Sequence, residues 1–193
     1  MKDIIIIVFA TIFVENFVLS KFLGICSFLG VSKNLSDSIG MSGAVVFVMT
    51  IASAVTWLVQ EYILDPLSMQ YLQTITFILV IAALVQVVEI FMKKSLPRLY
   101  KALGIYLPLI TTNCAVLAVA ILNIQRDYTF LESIVFGFSG GVSYMVALVI
   151  FAGIRERLEL CDIPECFKGF PISLVAAAFV SLAFMGFSGL FAG

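Results

Sequence analysis

The stretch Thr111-Thr112-Asn113-Cys114-Ala115-Val116-Leu117 puts a cysteine inside a membrane-length apolar run, directly behind residues that interrupt helices. Leu23-Gly24-Ile25-Cys26-Ser27-Phe28-Leu29 repeats the pattern near the start of the chain. Thr and Asn are helix N-cap residues, so the chain can restart as a half-helix at Cys114. Gly24 weakens a helix and permits close backbone approach. A half-helix start directs N–H groups and positive partial charge at whatever lies ahead of it. That field stabilises an anionic cluster, and N–H groups aimed at sulfur raise a cluster's reduction potential. Cys26 and Cys114 are therefore the candidate ligands of a shared metal or redox site. Soft sulfur ligands select iron–sulfur, zinc or copper(I) over hard cations. Two cysteines are half of a four-thiolate site, so an iron–sulfur cluster here needs two further ligands from a second chain. The alternative is a pair of inert buried cysteines, a common state for this residue.

Composition places the whole chain in a bilayer. Of its 193 residues, 62% are hydrophobic and only 12% charged, and its mean hydropathy is +1.16. A soluble domain is close to half apolar and about a quarter charged. A net charge of -1 leaves no basic face for nucleic acid. The absence of histidine excludes His-ligated haem, His-based zinc sites and a His general base. Two of the four cysteines, Cys161 and Cys166, lie in a polar loop, and the set does not form a secreted disulfide framework. In a reducing compartment they read as free thiols. The first apolar stretch has one basic residue, Lys2, before it and no small-residue cleavage site, so it does not read as a removed signal peptide.

A spanning helix needs roughly 20 mostly apolar residues. Such stretches run approximately over Ile4–Phe28, Ser42–Tyr62, Leu72–Met92, Leu103–Ile124, Phe130–Gly153 and Phe170–Leu190. The expected fold is an all-α integral membrane protein of about six transmembrane helices, with helices one and four interrupted. Basic residues set the orientation. Lys33, the group Lys93, Lys94, Arg98 and Lys101, and the group Arg155, Arg157 and Lys168 fall in alternate connections, which should be cytoplasmic. Lys21 fits the same side. The opposite side keeps Lys2 and Arg126 and carries Glu61, Asp65 and Asp127. Both termini are then outside. Aligning Cys26 with Cys114 matches the layout of the halves, including Val46-Phe47 against Val135-Phe136. Three helices per half is an odd number, so the second half enters from the opposite face as an inverted repeat. The single membrane domain, residues 1–193, divides into repeat one, about 1–95, and repeat two, about 96–193.

Other polar residues stand within or beside the spans. Glu15-Asn16 and the pair Gln86 and Glu89 suggest an ion or proton path or, for Glu89, an interfacial residue near Lys93 and Lys94. Glu15 is the candidate for tuning a cation path, against the plainer reading of a bond to a neighbouring helix. Gly137, Gly140 and Gly141 with Ser139 and Ser143 form a small-residue face for close helix packing.

Two motifs resemble a known family. Glu15-Asn16-Phe17-Val18-Leu19-Ser20-Lys21-Phe22-Leu23-Gly24-Ile25-Cys26-Ser27-Phe28-Leu29-Gly30-Val31-Ser32-Lys33 is similar to the signature of the A-type subunits of Rnf electron-transport complexes and their homologues in the sodium-pumping NADH:quinone reductase, Nqr. Leu103-Gly104-Ile105-Tyr106-Leu107-Pro108-Leu109-Ile110 followed by Thr111 to Leu117 is similar to its second motif, and the likeness extends through Arg155-Glu156-Arg157-Leu158. The departure is Ser27, where the family pattern has proline, which leaves the start of that half-helix open. The resemblance implies a [2Fe-2S] cluster at the membrane centre, with Cys26 and Cys114 from this chain and two cysteines from an RnfE-like homologous six-helix subunit of opposite orientation. It implies the other Rnf subunits (B, C, D and G) as partners, Na⁺ or H⁺ as the transported ion, and a bacterial or archaeal cytoplasmic (inner) membrane. The chain would relay electrons between ferredoxin and NAD⁺ as a subunit of an ion-translocating oxidoreductase, with no complete active site of its own. It carries no glycine fingerprint for a dinucleotide. The competing function is a secondary ion transporter with inverted repeats and inert cysteines; the cysteine pair separates the two, because a transporter has no need of soft ligands at its symmetric centre.

Overall fold

The computed structural model describes residues 2–14, 16–32, 35–67, 70–95, 107–161 and 164–188. Among them the regular structure is helical throughout. Helix α1, Lys2–Phe9, runs on into a widened π-helical turn, Ala10–Val14. An irregular passage follows, and α2, Ile25–Val31, resumes the first apolar region. Helix α3, Leu35–Val59, continues through a second π-helical turn, Gln60–Leu64, into the short α4, Asp65–Leu67. Helix α5 spans Gln73–Ser95 and ends on the exposed Lys93 and Lys94, where cations suit the helix dipole. The fourth region is split into α6, Leu107–Thr111, and α7, Cys114–Gln125. Helix α8, Phe130–Glu159, starts at a capping box made by Thr129 and Glu132, and α9 covers Phe170–Ser188.

The expected spans and the observed helices agree, with instructive differences. Ser38–Leu64, Gln73–Ile90 and Phe130–Leu158 are each long and apolar enough to cross a membrane. Leu109–Gln125 and Phe170–Gly186 are shorter apolar helices. The first region, expected over Ile4–Phe28 with a weak point at Gly24, leaves helical geometry well before that glycine. Asn16 is the cause. Its Oδ1 accepts the backbone N–H groups of Val18 and Leu19 at 3.1 and 3.3 Å, and its Nδ2 donates to the carbonyl of Ser143 at 3.1 Å. Water is absent from a bilayer core, so irregular backbone there persists only where protein groups satisfy it. Ser20 N–H reaches Asn16 O, Leu23 N–H reaches Phe17 O, and the Ser181 hydroxyl of α9 reaches Leu19 O at 2.6 Å. Glu15, and the basic residues Lys33, Arg98 and Lys101, lie outside the described residues.

The core sits between α3 and α8, which make the most extensive helix contact among the described residues. The small-residue face expected on α8 is what brings them together. A Cβ added at Gly141 would stand 2.7 Å from Val46 Cα, and one at Gly137 would stand 2.6 Å from Ser53 Cβ. The buried Ser53 hydroxyl donates across the gap to Ser133 O at 2.8 Å and accepts from the Asn123 side chain of α7. Buried Phe17 meets Phe136 edge-on at 5.7 Å, and Phe28 of α2 stacks on Phe151 of α8 at 4.3 Å. Much of α5 and α9, by contrast, is exposed and apolar: Ile75, Ile78, Leu79 and Val87 on one, Phe179, Leu182 and Met185 on the other. Such surfaces suit lipid or another membrane subunit.

Gly141→Ala should therefore destabilise the chain by about 1–3 kcal/mol, because the new methyl meets backbone. Gly153→Ala on the same helix meets nothing within 4 Å and should be neutral or slightly stabilising. Unfolding midpoints of the two variants in mixed micelles measure the contrast.

Candidate metal centre

Both candidate ligands stand in the first turn of a half-helix. Cys114 opens α7, and Asn113 is its N-cap, accepting the Ala115 N–H on Oδ1 at 3.0 Å. Cys26 is the second residue of α2, which follows Gly24 in the left-handed conformation, φ 82°. That conformation favours glycine. A side chain at position 24 would also meet Asn113 Oδ1 at 3.1 Å, Ala115 Cβ at 3.3 Å and the Tyr144 ring at 3.3 Å. With no side chain there, the Gly24 N–H donates to Cys114 Sγ at 2.9 Å. The two starts, far apart in sequence, are thus joined here, with a backbone N–H aimed at the sulfur of a candidate ligand. Both cysteines are free and exposed on the surface of the chain, unlike inert core cysteines.

Behind them is a buried polar network that ties Ser27 and Asn113 of the two motifs to Tyr144, which belongs to neither. Ser27 Oγ accepts from the Tyr144 hydroxyl at 2.8 Å and from Asn113 Nδ2 at 3.4 Å, and donates to Gly24 O at 3.0 Å. Ser27 and Tyr144 have no exposed surface. The local bonding explains how serine stands in place of proline. Phe28 N–H closes the first turn of α2 on Gly24 O at 3.1 Å. The Ser27 N–H is therefore one of the donors a helix start leaves without an intrahelical acceptor. Proline fits such a position, and serine fits it too while linking α2 to α7 and α8. The far end of α2 is held by Arg155, whose Nη1 donates to Leu29 O and Ser32 Oγ, both at 2.8 Å. A tyrosine mid-helix and an arginine more than a hundred residues away carry no local signal of these contacts.

Beside Cys114 lies an apolar cleft of about 310 Å³, lined by Ile78, Ile81 and Ala82 of α5 and by Thr111, Thr112 and Leu117. Among the described residues no group of three or more Cys, Asp or Glu side chains comes together as a metal site. Cys161 and Cys166 are free and exposed beyond the end of α8. Gln86 is exposed on α5 and Glu89 is half-buried there.

Gly24→Ala is expected to part the two half-helix starts. In a Cys161→Ser, Cys166→Ser background, maleimide should label Cys114 roughly fivefold faster in this variant, the equivalent of one lost hydrogen bond of about 1 kcal/mol. Equal labelling rates would contradict the Gly24–Cys114 contact.

Comparison with known proteins finds relatives along nearly the whole chain. The model of the Rnf-Nqr subunit family, membrane proteins, matches residues 4–191. The chain is 59% identical over 187 residues to the A-type subunit of the Na⁺-translocating ferredoxin:NAD⁺ oxidoreductase complex of Acetobacterium woodii, covering 97% of each. It is 55% identical over 193 residues, all of both chains, to the A-type subunit of the ion-translocating oxidoreductase complex of Syntrophotalea carbinolica. It is 54% identical over 190 residues to the protein of the same description from Edwardsiella ictaluri, covering 98% of each. With two interrupted apolar helices meeting at paired cysteines, and with this likeness along its full length, the chain belongs to the Rnf-Nqr family of membrane subunits.

Proposed function

We propose that this chain is the electron-relaying membrane subunit of an Rnf-type ion-translocating ferredoxin:NAD⁺ oxidoreductase complex, holding half of a [2Fe-2S] cluster through Cys26 and Cys114. The observation that carries the reading is the Gly24 N–H to Cys114 Sγ contact, which joins two exposed cysteines at the starts of two half-helices. The donor set fits the group. Both sulfurs are accessible, the ligands are soft, and the N–H groups of two helix starts compensate negative charge. A bound [2Fe-2S] cluster would accept and release one electron. The chain's own part is to present two sulfurs, to direct the Gly24 N–H at one of them, and to hold both starts rigid through Ser27, Asn113 and Tyr144. Hydrogen bonds to sulfur raise the potential of such a centre.

The rest of the ligand set comes, on this reading, from an RnfE-like homologue in inverted orientation. The exposed cysteines support a site completed by a second subunit. The B, C, D and G subunits complete the complex, Na⁺ or H⁺ is the transported ion, and the location is a bacterial or archaeal cytoplasmic membrane. The three-helix halves form an inverted repeat, with the Arg155 end of α8 cytoplasmic and both termini outside.

In the purified complex, Cys26→Ser or Cys114→Ser should remove the visible absorption and the iron of this centre, while Cys161→Ser and Cys166→Ser keep both. The protein expressed without its partners should carry little iron. An intact cluster spectrum in Cys26→Ser would reject the ligand assignment. For topology, a C-terminal alkaline phosphatase fusion should be active and a C-terminal green fluorescent protein fusion dark; the reverse pattern would overturn the orientation.

A further inference from the structure

One short stretch of α8 supports both ends of the first break. Ser143 O accepts the side-chain amide of Asn16, where the chain leaves helical geometry, at 3.1 Å. The next residue, Tyr144, donates its hydroxyl at 2.8 Å to Ser27 in the first turn of α2, where helical geometry has resumed. Tyr144 also reaches the joint between the two half-helix starts. A Cβ added at Gly24 would stand 3.3 Å from Tyr144 Cε2, so the ring edge lies against the Gly24 backbone. Gly24 N–H is the donor to Cys114 Sγ, and Ser27 follows Cys26 in sequence. One side chain of α8 therefore backs the bend that bonds one candidate ligand and the turn that carries the other.

Tyr144 and Ser27 have no exposed surface. A buried tyrosine hydroxyl needs a partner, and the Ser27 hydroxyl supplies it. Ser27 passes the bond on to Gly24 O at 3.0 Å and accepts from Asn113 Nδ2 at 3.4 Å. Bonds chained in this way polarise one another, and a satisfied buried network holds its members in one arrangement. Deleting one hydroxyl leaves the other buried without its partner, whereas deleting both costs far less. Residues 27 and 144 thus act as one unit. Groups placed behind metal ligands orient them and tune the metal, and an N–H directed at sulfur raises a cluster's potential.

We propose that Tyr144 is a positioning residue for the metal centre. Acting through Ser27 and Gly24, it fixes Cys26 relative to Cys114 and keeps the Gly24 N–H on the Cys114 sulfur, so that residues 27 and 144 can be exchanged only as a pair. The effect on a bound cluster rests on the cluster reading; the pairing and the hold on Cys114 do not.

Two measurements on the full chain in detergent need no cluster. In mixed micelles Ser27→Ala should raise the unfolding constant about tenfold, because the Tyr144 hydroxyl stays buried without its acceptor. Adding Tyr144→Phe should recover most of that loss, and Ser27→Pro should be tolerated with phenylalanine at position 144 but not with tyrosine there. Additive effects in this cycle would overturn the pairing. In a Cys161→Ser, Cys166→Ser background, Tyr144→Phe should quicken maleimide labelling of Cys114 about threefold, a part of what one lost hydrogen bond allows; equal rates would overturn the hold on Cys114. The third measurement is a redox titration of the cluster's electron paramagnetic resonance in the purified complex. Tyr144→Phe should keep the iron and shift the ratio of reduced to oxidised cluster at a fixed potential about fivefold toward oxidised, a change that a merely structural role would not produce. An unchanged potential would overturn the positioning role. A wild-type complex without any [2Fe-2S] signal would sink the cluster reading instead, and the labelling rates would then decide the role of Tyr144 by themselves.

Discussion

Backbone that leaves helical geometry inside a bilayer must find its hydrogen bonds within the protein, and this chain is organised around meeting that requirement twice. At the first break, Asn16 accepts two backbone N–H groups, Ser181 supplies a donor to Leu19, and Arg155 donates to the Leu29 carbonyl near the end of α2. At the second, Asn113 caps α7. One donor is used differently: Gly24 N–H turns to the sulfur of Cys114. The same requirement that permits a broken helix therefore puts a polarised N–H against a candidate ligand.

The breaks also depend on a rigid support. Helix α8 packs on α3 through Gly137 and Gly141 with no room for a methyl group, and this closeness brings Tyr144, Ser143 and Arg155 within reach of the first break. Small residues at a membrane helix interface are commonly read as packing devices. Here the packing has a chemical consequence, because the Tyr144 hydroxyl reaches Ser27 directly behind Cys26.

Much of this was legible in the sequence because the signals were local. Apolar length marked the helices, Thr-Thr-Asn before Cys114 marked a helix restart, and the glycine run marked the α8 face. Each rests on residues within a turn or two of one another. What was not legible rests on long-range pairing. Asn16 reads only as a polar residue in a span until Ser143 is seen opposite its amide. Ser27 reads as a departure from a proline pattern until Tyr144 and Asn113 are found on its hydroxyl.

Helix α2 is tied to α8 at both ends, by Tyr144 through Ser27 and by Arg155 through Leu29 and Ser32. The two anchors on α8 are about three helical turns apart. A short rod pinned at two places on a longer one has no independent tilt. Cys26 is therefore carried with α8, while Cys114 rides on α7 and meets α2 through the Gly24 N–H···S contact and the Asn113–Ser27 bond. A shift of α8 against α7 would change the span between the two sulfurs, so the joint at Gly24 and Ser27 sets the spacing of the candidate ligands.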